Sequence, residues 1–249
     1  MVHGVLLSGG SEVDVMVHGL VPYNFFGHEV WITTTHVSLL LVVVILCVFS
    51  IVAGRAMKKG TEVRGTGVPG GFQNVVELIV EMLDGMTKST MGKNATKFRN
   101  YIGTVFIFIL FSNFSGLLGL RPPTADYGVT FPLGVMTFLI VRFNEFKHHS
   151  IKDIWADKCS PLPPWLPIWL PINLIGDFAV PISLSLRLFA NILSGTIMMA
   201  LVYGLLGVIA TAWPAALHVY FDLFSGAIQT YVFCMLTMTY ISNAIGDEA

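Results

Sequence analysis

Apolar stretches separated by short polar ones dominate the chain. Three of them, residues 37–54, 101–120 and 129–146, are each close to the length of one membrane crossing. A helix needs about 20 largely apolar residues to cross the hydrocarbon core of a bilayer. Lysines and arginines follow directly after the first stretch, as expected where a helix leaves the membrane. The pattern therefore predicts three transmembrane helices in this part of the chain.

The last third of the sequence shows two longer apolar stretches. One runs from about residue 171 to 210 and the other from Pro214 to about Ala244. A helix rises about 1.5 Å per residue, so each would be at least about one and a half times as long as the hydrocarbon core is thick. We therefore expect two long helices that tilt steeply or lie partly along the membrane plane. Pro214 suits the first turn of the second one.

Residues 71–88 have a different pattern, in which apolar and polar positions alternate with the period of a helix. The apolar positions are Val75, Val76, Ile79, Met82, Leu83 and Met86. The segment is too polar to cross a membrane, so it predicts an amphipathic helix on the membrane surface or against another helix. A simple connector and a docking element are both compatible with this pattern.

The composition agrees with these elements. Of 249 residues, 54% are hydrophobic and only 12% are charged, and the mean hydropathy is +0.73. Soluble domains carry about 25% charged residues. We therefore predict an all-α integral membrane protein with five to six membrane-associated helices and one amphipathic surface helix, forming one membrane domain over residues 1–249. The net charge of −1 argues against nucleic acid as a partner, because no basic stripe is available to neutralise phosphates.

The basic residues predict the orientation in the membrane. Residues 1–35 contain no lysine or arginine, whereas residues 55–100 contain eight of the fourteen. Cytoplasmic loops are enriched in these residues. We therefore expect residues 1–35 to be external, the loop 55–100 to be cytoplasmic and the carboxyl terminus to be cytoplasmic.

Arg187 is the first candidate functional residue. It lies within an apolar stretch, and no acidic residue is three or four positions away along its helix. A charge at the bilayer centre costs from about 3 to more than 10 kcal/mol. A snorkelling arginine is the alternative, but Arg187 is far from either end of its predicted helix. Its partner is therefore expected on another helix or another subunit.

A second candidate group lies on the last helix. His218, Asp222, Ser225 and Gln229 follow one another at +4, +3 and +4, which places them on one face of an α-helix. A buried carboxylate can exchange protons near neutral pH. An ordinary interhelical hydrogen bond is the better explanation for Ser225 or Gln229 taken alone. For the four together we favour a role in proton transfer.

Asp177 completes this set. It precedes Arg187 by ten residues, on the side that the predicted orientation places toward the cytoplasm. Two carboxylates on opposite sides of a fixed cation are typical of two proton paths separated by a barrier. Arginine suits the barrier because its guanidinium keeps its proton. The sequence shows no nucleophile elbow, zinc-protease motif or phosphate-binding loop, so we expect no catalytic activity, cofactor or metal.

The residues around Arg187 resemble the a subunit of F-type ATP synthases. The similarity covers nearly the whole chain and rests most strongly on PISLSLRLFAN, with GFQNVVELIVE, PTADYGVT and IQTYVFCMLTMTYIS in support. The resemblance implies that Arg187 faces a rotating ring of small subunits, each with one carboxylate. It also implies that Asn191 and Gln229 are polar companions of Arg187. Many relatives carry acidic residues or histidine where this chain has Gly116, Gly176 and Thr196.

This resemblance implies a stator subunit with two aqueous half-channels, formed by a helical hairpin over residues 171–245. Asp222 would belong to the outer half-channel and Asp177 to the cytoplasmic one. The implied partners are the ring, the b subunits of the peripheral stalk and the lipid of a bacterial plasma membrane or an equivalent energy-transducing membrane. A secondary transporter or a structural anchor subunit is the alternative, although no internal repeat of a transporter is found.

Overall fold

The computed structural model describes residues 19–25, 28–63, 71–118, 120–150, 154, 169–206, 217 and 219–246. Of the predicted elements, the start of the last long helix at Pro214 lies outside the described residues.

The described chain begins with a short antiparallel hairpin. Strand β1, Gly19–Phe25, pairs with β2, His28–Thr33, and the register shifts between Gly19 and Val21. Because every second residue of β2 is apolar or aromatic, the local sequence is compatible with a strand. The prediction for this part of the chain contained no strands, so the hairpin is an addition to the otherwise helical fold.

Helix α1, Thr34–Val63, follows the hairpin directly. Large apolar side chains such as Leu40, Val48 and Ile51 are more than half exposed along it. A helix that is apolar on its outer faces suits a lipid environment. It extends the predicted 37–54 by three residues at its start and by nine at its end.

The next two helices correspond to the predicted amphipathic helix and second span. Helix α2, Gly71–Met91, is joined to α3, Ala95–Phe114, by a 3₁₀ turn at Gly92–Asn94. Gly92 has φ +52°, a conformation that glycine adopts without strain. Of the predicted apolar face of α2, Val76 and Leu83 are buried.

Three further helices complete the described fold. Short 3₁₀ turns at Ser115–Leu118 and Pro123–Ala125 lead from α3 to α4, Tyr127–His148. Helix α5, Trp169–Leu206, has 38 residues. The last segment starts as a π-helix, Val219–Ser225, and continues as α6, Gly226–Ile245.

Five helical segments in the described part of the chain are long and apolar enough to cross a membrane. They are Thr34–Arg55, Gly71–Leu117, Tyr127–His148, Ile175–Val202 and Val219–Ile245. This confirms the prediction of an integral membrane protein built mainly from helices. The fourth and fifth segments have 28 and 27 residues, more than the 22 of the first and the third.

The chain forms two compact units. The first comprises Met1–Gln73, Ile107–Asp126 and Phe189–Thr230, and the second comprises Asn74–Phe106, Tyr127–Leu188 and Tyr231–Ala249. Apolar residues and threonines are buried in both. In the first unit, Ile109 and Thr124 are fully buried, and in the second Leu188, Phe233 and Thr137 are. Threonine suits a membrane helix because its hydroxyl can bond a carbonyl of its own helix, as Thr87 does to the Leu83 oxygen at 2.7 Å.

Candidate functional site

Arg187 lies on an exposed face of α5, near the middle of the candidate span Ile175–Val202. Ser183 and Ser194, at −4 and +7, are exposed as well, whereas Asn191 at +4 is half-buried. Large apolar side chains on the same helix are also exposed, including Ile182 and Leu186, each at 45%. Arg187 therefore belongs to a short exposed polar stripe that has exposed apolar side chains beside it.

A neighbouring face of α5 is buried. Leu184, Ser185 and Leu188 are at most 2% exposed. Arg187 therefore lies beside the packed face of its own helix and not within it. Within the described part of the chain, its guanidinium forms no ion pair or hydrogen bond. That its partner lies on another helix or another subunit therefore stays a prediction.

Asp177 does have a partner in this chain, on helix α4. Nη2 of Arg142 donates to Oδ1 of Asp177 at 3.0 Å, and Nη1 donates to Oδ2 at 3.2 Å. Two parallel bonds of this kind are the strong form of an arginine–carboxylate pair. Arg142 also forms an ion pair with Glu145, one helical turn further along α4.

The sequence reasoning missed this cluster. The sequence analysis assigns no role to Arg142 or Glu145, which both lie within the predicted third span, 129–146. A charge pair three residues apart inside an apolar helix is the signal that could have found them. Any role given to Asp177 in proton transfer must therefore take its ion pair with Arg142 into account.

Asn191 and Ser225 lie together in the first unit. Nδ2 of Asn191 donates to Oγ of Ser225 at 3.1 Å. This bond joins α5 to the π-helix, and it matches the structural alternative considered for Ser225. Gln229 is 7% exposed, and its Nε2 has no hydrogen-bond partner among the described residues. A buried amide without a protein partner commonly bonds to water.

The π-helix changes the spacing on which the predicted polar face was based. In a π-helix each N–H bonds to the carbonyl five residues before it, so residues three and four apart no longer align as in an α-helix. The prediction of an uninterrupted α-helix from Pro214 is therefore wrong over Val219–Ser225. Asp222 is within this element, and its side chain lies outside the described part of the structure, as does all of His218.

A hydrogen-bond network around Asn113 is a second feature that the sequence reasoning missed. Nδ2 of Asn113 donates to the Gly226 carbonyl oxygen at 3.0 Å and to Oγ1 of Thr230 at 3.2 Å. Its Oδ1 accepts a bond from Oγ1 of Thr124 at 2.7 Å. Asn113 thus ties α3 and the turn after it to the beginning of α6, directly after the π-helix.

Comparison with known proteins gives the family. The family model of the ATP synthase A chain matches residues 36–242. The chain belongs to this family. The match includes α1 to α5 and nearly all of α6, and it therefore confirms the resemblance derived from the motif around Arg187.

Bacterial relatives agree with this assignment. The sodium ion specific ATP synthase subunit a of Propionigenium modestum is 36% identical over 215 residues, covering 80% of this chain and 71% of the relative. ATP synthase subunit a of Priestia megaterium is 32% identical over 195 residues, covering 72% and 81%. Subunit a of Sulfurihydrogenibium is 31% identical over 179 residues, covering 72% and 84%.

Membership in the ATP synthase A chain family assigns the chain to the membrane sector of an ATP synthase, with roles in ion transport and ATP synthesis. The five candidate spans fit a multi-pass membrane protein. A role in ion transport has to account for three polar features of the described helices. They are the exposed Arg187, the Arg142–Asp177 pair and the Asn191–Ser225 hydrogen bond.

Proposed function

We propose that this chain is the proton-translocating stator subunit of an F-type ATP synthase. Arg187 faces the carboxylates of a rotating ring, and two aqueous half-channels lead protons to the ring and away from it. The chain is held by the b subunits of the peripheral stalk and does not itself make ATP. The exposure of Arg187 in the middle of a candidate span, among exposed apolar side chains, is the observation that carries this proposal.

The physical argument starts from the energy of the charge. A guanidinium left in lipid costs several kcal/mol, whereas one that faces a ring carboxylate gains an opposite charge in a medium of low dielectric constant. Arg187 attracts each ring carboxylate as it loses its proton and keeps protons from passing directly between the half-channels. Because arginine does not release its own proton, it does not become a leak.

The two half-channels are assigned from positions along the helices. Protons enter from outside past Asp222 and His218, beside the polar groups of Asn191, Ser225 and Gln229. After nearly a full turn of the ring they leave past Asp177 toward the cytoplasm. Each charge that crosses a potential of 100 mV releases about 2.3 kcal/mol, so several protons are needed for one ATP. We place the chain in a bacterial plasma membrane, with its amino terminus outside and its carboxyl terminus in the cytoplasm.

Replacing Arg187 tests the proposal. In inverted vesicles that contain the assembled complex, we expect Arg187→Ala to abolish ATP synthesis and ATP-driven proton pumping while the complex still assembles. The matched control is Arg55→Ala, because Arg55 is an exposed arginine near the end of α1. All variants are measured in medium without added sodium, and the control should pump protons at the wild-type rate. Coupled pumping at the wild-type rate by Arg187→Ala would refute the assigned role.

A further inference from the structure

The cluster of Arg142, Asp177 and Glu145 lies within the second unit and is largely shielded from solvent. The side chains are 22%, 20% and 16% exposed, respectively. The ring of Phe138 lies 5.5 Å from Cζ of Arg142, and the Phe138 and Phe178 rings are 5.8 Å apart. The Phe138 ring therefore covers one face of the guanidinium and reduces its contact with water.

The geometry brings the two carboxylates close to each other. Nη1 of Arg142 contacts both Oδ2 of Asp177 and Oε2 of Glu145. Two oxygens that share one nitrogen are at most two hydrogen-bond lengths apart, about 6 Å. One water molecule can bridge such a gap. Nε of Arg142 is also buried and has no hydrogen-bond partner among the described residues, so the cluster leaves one buried donor for a water molecule elsewhere on the guanidinium.

A single proton is the unit that this cluster can pass on. With both carboxylates ionised, the formal charges of the three side chains add up to −1, and one added proton brings the sum to zero. Because both carboxylates contact Nη1 of Arg142, a proton that arrives on one of them has the other within reach, directly or through one water.

We propose that Glu145 is a further proton-transfer residue on the cytoplasmic path and that Arg142 is the residue that positions it against Asp177. A proton leaves an oxygen of Asp177 and forms an O–H bond on Glu145, directly or through one water. It then leaves Glu145 for bulk water, and the cluster returns to its initial charge. Glu145 suits the second step because α4 ends three residues later, at His148. This inference rests on the proposed function.

Substitutions at Glu145 in the intact complex test the relay. In inverted vesicles we expect Glu145→Gln to slow ATP-driven proton pumping roughly tenfold. This loss is smaller than that expected for removing a positioned general acid or base, because water can partly replace the carboxylate of Glu145. ATP hydrolysis should fall in parallel, because during ATP-driven pumping protons enter the ring through the cytoplasmic path, and slow proton uptake there retards rotation without uncoupling it. Glu145→Asp should retain at least about half of the wild-type rate, since it keeps a carboxylate.

The control is Glu81→Gln, the same substitution at an exposed glutamate of α2, which should pump like the wild type. Pumping at the wild-type rate by Glu145→Gln would overturn the inference. Equal losses in Glu145→Gln and Glu145→Asp, with ATP hydrolysis continuing uncoupled, would also overturn it and leave Glu145 a structural role.

Two further variants separate this inference from the proposed function. Arg142→Lys keeps the charge but replaces a two-point contact by a single one, so we expect a rate between those of the wild type and Glu145→Gln. Asp177→Asn should be at least as slow as Glu145→Gln.

If Asp177→Asn is slow and Glu145→Gln is normal, the path through Asp177 stands and the relay is wrong. If Asp177→Asn is normal as well, the cytoplasmic path of the proposed function is also wrong.

Discussion

Asn113 shows how a single polar residue is held inside an apolar helix. It is 1% exposed, and all its described hydrogen bonds are with residues that are themselves buried. The Gly226 carbonyl accepts bonds from both Asn113 and Oγ1 of Thr230, the latter at 2.7 Å. A carbonyl next to a π-helix needs such partners, because the regular pattern of helix bonds changes there. The network thus stabilises the transition from the π-helix to α6.

We expect Asn113→Ala to destabilise the subunit. The substitution leaves the buried hydroxyl of Thr124 without its acceptor, and such losses cost about 1–3 kcal/mol each. The thermal unfolding temperature of the purified complex should fall, and less of the subunit should assemble. Asn100→Ala is the matched control, because Asn100 is an exposed asparagine on the same helix. Equal unfolding temperatures for the two variants would show that the network contributes no stability.

At the scale of elements, the contact between α4 and α5 positions the segment that carries Arg187. Gly134 of α4 packs against α5 so closely that an added Cβ atom would lie 2.6 Å from the Pro181 carbonyl oxygen and 3.2 Å from Cβ of Ser185. Pro181 also lacks the N–H that would bond to the Asp177 carbonyl in a regular helix. The close contact and the Arg142–Asp177 pair therefore hold the same region of α5 against α4.

Gly134→Ala should weaken this contact. The nearest atom is a backbone oxygen, which cannot turn aside as a flexible side chain would, and overpacking of this kind costs about 1–3 kcal/mol. We expect a lower unfolding temperature of the complex and slower coupled pumping, because α5 has to shift. Gly85→Ala in α2, where nothing lies within 4 Å of the added atom, is the control and should be neutral or slightly stabilising. Normal stability of Gly134→Ala would contradict the close contact.

At the scale of the whole molecule, the outer surface of the long helices is apolar. Phe178 on α5 is 56% exposed, and Phe224 in the π-helix is 55% exposed. In water such surfaces would promote aggregation, so they indicate lipid or another subunit as the neighbour. The exposed polar stripe of α5, formed by Ser183, Arg187 and Ser194, interrupts this apolar surface. We expect this stripe to be the part of the molecule that meets the ring.

Cross-linking tests which side of α5 meets the ring. In a complex freed of its native cysteines, we expect Ser183→Cys to form a disulfide with a cysteine placed beside the ring carboxylate. Ser185→Cys is the matched control, since Ser185 is two residues away on the same helix and fully buried, and it should not react. Efficient cross-linking of Ser185→Cys, with none for Ser183→Cys, would exclude the proposed interface.

The sequence alone determined the membrane helices and the residue most in need of a functional explanation. Hydrophobic length predicts a spanning helix because the bilayer imposes it, and a charge such as Arg187 stands out because lipid makes it costly. Helical spacing also places Ser183 and Ser194 on the same side of their helix as Arg187. These inferences need no knowledge of which helices are neighbours.

The tertiary structure alone decided which polar groups meet. Arg142 and Asp177 are 35 residues apart, and Asn113 and Gly226 are 113 apart, so no local pattern could pair them. The π-helix at Val219–Ser225 likewise changes the local spacing, because the one-turn periodicity used to read a sequence assumes α-helical bonding. The hairpin at residues 19–33 was missed because two short strands give a much weaker signal than long apolar helices. Packing between segments that are distant in the sequence stabilises these features. The pattern of neighbouring residues does not predict that packing.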